Sequence, residues 1–353
     1  MDKLASMLHM TPAVLWMVIK VVIVFAGVMS LAAVWTWVER RGSAMIQDRI
    51  GPNRARLFGR WPILGLAQIA ADGIKFFFKE DLVPTDANKR LFWLAPFLAF
   101  VPALMGFAVI PFGKSFVSGG QTYHLALLDP GNGMGLLYPL AIGGMAVYGV
   151  LVAAWSSNNK WSILGGMRAS AAMVSYEIGL SLAVISIFMT TGGYDPSEVI
   201  SAQGHLPWAW NIVRQPLGFI VFFTCMFAET NRLPFDFAEG ESEIVAGFNT
   251  EYGSMKYSLL ALAEYSHLMT ASALIATLYF GGWQVPFVKD PTVMLSVASF
   301  LLKMLFFAWV FVWIRWTVPR FRYDQLMHLG WKVMLPLSMT NLIFHAWRMS
   351  QGH

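Results

Sequence analysis

VMLSVASFLLKMLFFAWVFVWI, Val293–Ile314, holds a single charged residue, Lys303. As a helix, a run of this length crosses the roughly 30 Å hydrocarbon core of a bilayer. Apolar on every side, it suits a lipid surround and not the one-sided burial of a soluble helix. Seven further runs share the pattern: Ala13–Val38, Leu91–Phe112, Met134–Trp155, Met167–Thr190, Leu217–Ala228, Tyr257–Phe280 and Trp331–Trp347. Leu217–Ala228 is short, and reaches spanning length only by recruiting residues from Trp208 onward or by ending against protein. The expected fold class is an all-α integral membrane protein of about eight transmembrane helices, forming one membrane domain over residues 1–353.

Composition agrees, with 57% hydrophobic and only 13% charged residues, against roughly 25% charged in a soluble domain. The small basic excess sits in clumps between apolar runs, which describes loops and not a nucleic-acid-binding face. Cys225, the only cysteine, rules out an intrachain disulfide, a CxxC clip and iron–sulfur ligation within this chain. Neither GxGxxG after a strand nor GxxxxGK[ST] occurs, so nucleotide and flavin sites are not expected. Only His267 and His345 fall in expected spans, giving a bis-histidine haem little footing. No metal, flavin or haem is assigned to the chain.

Cytoplasmic loops are expected at about 39–90, 156–167, 229–256 and 315–330. They collect most of the 25 basic residues, whereas Lys3, Lys114, Arg214, Lys289 and Arg348 lie on the other side. The positive-inside rule then places both termini outside the cytoplasm. Within the first loop, PILGLAQIAADGIKFFFK (Pro62–Lys79) is apolar except for Gln68, Asp72, Lys75 and Lys79, which share one helical face. It reads as an amphipathic helix that either lies on the membrane surface or lines a cavity with its narrow polar stripe.

Three carboxylates fall in or beside expected spans: Glu177, Glu229 and Glu264. Burying such a group costs about 2.5 kcal/mol or more, so it is paired, protonated or set on a wet path. Three together, with Lys303 and with His267 one turn after Glu264, favour a functional role over a structural one. The loop AETNRLPFDFAEGESEIVAGFNTEYG (Ala228–Gly253) crowds Asp236, Glu239, Glu241 and Glu243 among apolar residues. Such crowding makes protonation cooperative and suits proton uptake. ERRGSAMIQDRIGPN (Glu39–Asn53) and RWTVPRFRYDQLMHLGWK (Arg315–Lys332) mix arginines with aromatics at the membrane edge, which fits anchoring or the docking of a partner.

ERRGSAMIQDRIGPNR, QIAADGIKFFFKED, SNNKWSILGGMRASAAMVSYE, FAETNRLPFDFAEGESEIVAGFNTEYG and RWTVPRFRYDQLM resemble, in this order and spacing, the signatures of the H subunit of NADH:quinone oxidoreductase, respiratory complex I. The resemblance covers nearly the whole chain. It implies eight transmembrane helices with an in-plane amphipathic helix after the first, in a bacterial inner membrane. It also implies the membrane side of a chamber for ubiquinone or menaquinone, with lipid around it. The partners implied are cytoplasmic iron–sulfur subunits that deliver electrons and membrane subunits that pump protons. Carried over by position, Gln47, Arg49, Gln68, Asp72, Lys75, Arg232, Phe235 and Asp236 would form the chamber and its entrance. Glu177, Glu229, Glu239, Glu241, Glu243 and Glu264 would lead protons away from it. Arg315, Arg320, Arg322, Tyr323 and Asp324 would join the cytoplasmic contact surface. A proton-coupled secondary transporter is the competing class, disfavoured by the absence of broken-helix repeats.

Overall fold

A computed structural model describes residues 12–55, 63–118, 121–128, 135–237 and 246–351. In chain order the helices are α1 (Pro12–Ile46), α2 (Ala67–Phe78), α3 (Lys89–Met105), α4 (Leu137–Ser156), α5 (Lys160–Thr191), α6 (Pro196–Gln203), α7 (Asn211–Arg214), α8 (Pro216–Glu229), α9 (Ser254–Tyr279), α10 (Val293–Thr317), α11 (Tyr323–His328) and α12 (Leu335–Ser350). Two short antiparallel strands, β1 (Phe116–Ser118) and β2 (Gln121–Tyr123), pair Phe116 with Tyr123.

Among the described residues six helices are long and apolar enough to cross a membrane: α1, α3 with the turn that continues it to Val109, α4, α5, α9 and α10. The outer face of α1 exposes Val14, Met17, Val18, Val21 and Val22, a patch that water would penalise and lipid does not. α8 is apolar but shorter. It recruits nothing from Trp208 onward, because Pro216 opens it and Gln215, at φ −135° and ψ 62°, separates it from α7. At the other end, α11 continues through a π-helical turn, Leu329–Met334, directly into α12.

Two helices outrun the apolar segments that announced them. α1 continues through Glu39, Arg40 and Arg41 to Ile46, because Glu39 is neutralised inside the fold by arginines from other elements. α5 begins at Lys160, where the Asn159 side chain accepts a hydrogen bond from Trp161 N–H, the usual service of an N-cap.

α9 is the hub, packed against α1, α3 and α10, while α5 gathers α4, α8 and α12. Small residues on α9, among them Ala263, Ser266, Ala271, Ala273 and Ala276, are buried and let neighbouring backbones approach closely. α3 and α4 meet almost backbone to backbone at Gly149, where a Cβ would lie 2.5 Å from Ala99 N. α2 has no buried residue. It is tied down where Ser254 Oγ donates to Phe76 O at 3.0 Å and Lys79 O at 2.9 Å, and where Trp37 Nε1 donates to Leu64 O at 3.1 Å, just before the helix.

Candidate functional site

Glu229 is the last residue of α8, and the turn after it passes through Asn231 in the left-handed region, φ 51°. Arg232, which follows, is 1% exposed. Its Nη1 lies 3.0 Å from Glu39 Oε2 on α1 and its Nε 2.7 Å from Glu264 Oε1 on α9. Arg315 of α10 closes the group, with Nη1 2.7 Å from Glu39 Oε1 and 3.3 Å from Glu264 Oε1. The guanidinium carbon of Arg232 stands 4.6 Å from the Tyr265 ring centre. Two carboxylates and two guanidinium groups thus neutralise one another where three membrane helices meet the loop after α8.

Burial works against the charge of Arg232, but Glu39 and Glu264 outweigh it and hold its proton above the usual arginine value. The close approach of Nε to Glu264 is an ion contact too bent for a hydrogen bond, and Nη2 is buried without a hydrogen-bond acceptor among the described residues. Leaving such donors unsatisfied costs about 1–3 kcal/mol. An acceptor oxygen brought in by a ligand would recover part of that.

Beside Glu39 on α1, Arg40 Nη1 reaches Asp72 Oδ2 at 2.6 Å, and Gln68 Nε2 donates to Asp72 Oδ1 at 2.9 Å. The polar stripe of α2 is thereby joined to the α1 end that carries Glu39. Phe235 is buried against Tyr176 and Phe321. Asp236 accepts from Arg320 Nη2, at 3.1 Å on Oδ2 and also on its backbone oxygen. Other expected members stand apart: Arg49 Nε donates to Gln47 Oε1 at 2.6 Å, and Lys75 lies over the Phe76 ring. Glu239, Glu241 and Glu243 lie outside the described residues.

The remaining carboxylates are seated on a glycine pair of α4. A Cβ on Gly143 would lie 2.5 Å from Glu229 Oε1, and one on Gly144 2.5 Å from Glu177 Oε1. Two cavities border Glu229. One of about 50 Å³ is also lined by Thr230, Asn231, Glu264 and His267, and one of about 20 Å³ by Thr230, His267 and Thr270. Glu177 instead faces an open groove of about 760 Å³, with Met327 and Trp331. Lys303 is elsewhere: its Nζ donates to Phe280 O, Gly282 O and Gln284 O at 2.8, 2.9 and 2.6 Å, pinning the chain beyond α9.

Sequence reasoning passed over Glu39, Arg40, Tyr265 and the Gly143–Gly144 pair. Gly143→Ala tests the seat, because its Cβ would meet only the end of the Glu229 side chain and displace the carboxyl without breaking the helix. The expected result is a protein that folds and inserts at the wild-type level, with its activity lowered by up to about a hundredfold, the size of loss a misplacement near 1 Å can produce.

A family described as NADH dehydrogenase matches residues 19–346. The chain is similar to an H subunit of NADH-quinone oxidoreductase from Cytophaga hutchinsonii, 45% identical over 331 residues, covering 92% of this chain and 94% of that one. It is 44% identical over 341 residues to the NADH-quinone oxidoreductase H subunit of Leptospira biflexa, covering 92% of each. It is also 45% identical over 336 residues to an NADH-quinone oxidoreductase H subunit of Geobacter sulfurreducens, covering 93% of each.

Proposed function

This chain belongs to the H-subunit family of NADH-quinone oxidoreductase, and we propose that it forms the membrane side of the quinone chamber and couples quinone reduction to proton translocation through buried carboxylates. The observation that carries this reading is Arg232, buried between Glu39 and Glu264, with its Nη2 donor unspent among the described residues. Reduction of a quinone takes two electrons and two protons, and negative charge developing on its oxygens is stabilised by a preorganised guanidinium. Electrons arrive from outside the chain, from the subunits that carry iron–sulfur centres. The partners are cytoplasmic iron–sulfur subunits on the Arg315–Asp324 side and proton-pumping subunits within the membrane.

In this reading α8 and the continuous segment Tyr323–Ser350 complete eight spans, α2 lies in the membrane plane at the chamber entrance, and both termini face the periplasm of a bacterial inner membrane. Ubiquinone or menaquinone enters past Gln68, Asp72 and Lys75, with Gln47 and Arg49 at the rim. Phe235 and Asp236 wall the chamber beside Arg232. Charge changes there reach Glu264 first, because it is bonded to the same arginines, and then Glu229 and Glu177. Glu239, Glu241 and Glu243 supply protons from the loop.

Asp72 tests the entrance. Its pair with Arg40 is partly exposed, and such pairs are worth about 1 kcal/mol at most. Asp72→Ala should therefore raise the apparent KM for quinone about threefold to fivefold. Electron transfer from NADH to a soluble acceptor such as hexacyanoferrate should not change. Unaltered quinone kinetics in a fully assembled variant would remove Asp72 from the entrance.

A further inference from the structure

His267 lies on α9 one turn beyond Glu264, on the same face of the helix. It lines both buried cavities beside Glu229, the larger of which Glu264 also lines. We infer that His267 is the proton-carrying link between Glu264 and Glu229, working through water in these two cavities; the inference rests on the carboxylate relay proposed above. A cavity needs roughly 10–15 Å³ and two to four polar partners to hold a water. The cavities measure about 50 and 20 Å³, and Glu229, Thr230, Asn231, Glu264, His267 and Thr270 supply the polar lining.

The arrangement is not that of a core histidine held for packing. Neither ring nitrogen is hydrogen-bonded to a protein group among the described residues, so both are available to water. The surrounding walls come from α3 (Ala99 and Pro102), α4 (Gly143 and Ala146) and α5 (Met173 and Leu180) and carry no charge. Among the described residues, the ionisable groups lining these cavities with the ring are Glu264 from its own helix and Glu229 from α8. Glu264 is in turn held by Arg232 and Arg315, so a charge change at those arginines reaches the ring through one residue.

Imidazole suits the task because its two nitrogens are distinct. Once Glu264 has taken up a proton delivered at the quinone chamber, that proton passes through water to one nitrogen, and the proton on the other nitrogen leaves through water to Glu229. The net result is one proton moved and one carboxyl exchanged for another. Tautomerisation or a ring flip resets the imidazole.

The test uses the whole complex in proteoliposomes with His267→Gln and His267→Asn, amides that hydrogen-bond but do not titrate near neutral pH. The expected result is a loss of about a hundredfold or more in quinone reduction and proton pumping together, the lower range of general acid–base effects. The pH–rate profile should also lose one ionisation, and NADH oxidation by hexacyanoferrate should be unchanged. A loss with an unaltered pH profile would mean packing and would overturn the inference. Normal coupling in the His267 variants, with Glu229→Gln and Glu264→Gln impaired in parallel, would overturn it while leaving the relay in place. Normal coupling in all four would overturn both. Should neither amide variant assemble, infrared difference spectra of the native complex with ring-labelled histidine decide: a label-sensitive band that responds to quinone reduction supports the inference, and its absence overturns it.

Discussion

Arg232→Met in the assembled complex is expected to lower quinone reduction by a hundredfold or more while NADH oxidation by a soluble acceptor continues at the normal rate. The side chain is 1% exposed and stands between Glu39 and Glu264. Removing one partner of a buried ion pair costs about 3–5 kcal/mol, because the charge left behind is neither solvated nor matched. If that loss is felt where the quinone is reduced, it corresponds to two or more powers of ten in rate. Some of it will show as reduced assembly, which a native gel and the subunit content of purified membranes measure. Arg232→Met combined with Glu264→Gln separates the two effects. Removing both members of a buried pair is milder than removing one, so assembly should recover while quinone reduction stays low. Recovery of quinone reduction along with assembly would show that Arg232 acts only as a structural counterion. Arg232→Lys keeps a charge but loses the planar fork that reaches two carboxylates at once, and should fall between the wild type and Arg232→Met.

Hydropathy revealed Val293–Ile314 and the other long spans because their apolar character is local and continuous. It failed at the end of α1, where Glu39, Arg40 and Arg41 read as the start of a loop. What keeps Glu39 inside the fold is Arg232, 193 residues away in sequence, and no local pattern can announce such a partner. Glu177, Glu229 and Glu264 were legible because a carboxylate in an apolar run is conspicuous. Their seats on Gly143 and Gly144 were not, since glycine in a membrane helix reads first as helix packing. Lys303 was conspicuous for the same reason as the carboxylates, yet three backbone carbonyls bind it far from them. Its role is a C-terminal anchor for α9. Trp208 suggested extra length for α8, but Gln215 and Pro216 interrupt the helix there.

Single Glu229→Gln and Glu264→Gln changes are expected to lower quinone reduction and proton pumping by similar factors, each about a hundredfold or more. Glutamine keeps the size and hydrogen-bonding capacity of glutamate and removes its charge and titration, so packing against Gly143 is disturbed little. Both residues line one cavity together with His267, so their contributions should not be independent. A double-mutant cycle on the two, read as turnover in sealed proteoliposomes, should give a double loss smaller than the product of the single losses. Multiplying losses would instead mark two separate sites.

The central claim, that the carboxylates set in or beside the membrane helices of this chain transmit quinone reduction into proton movement, is tested most directly by the complex in which Glu177, Glu229 and Glu264 are all replaced by glutamine. The measurement is protons translocated per NADH oxidised by quinone in proteoliposomes, taken with the rate of quinone reduction. The account predicts that both collapse while hexacyanoferrate reduction persists. Quinone reduction and proton translocation at wild-type levels in the triple variant would contradict it.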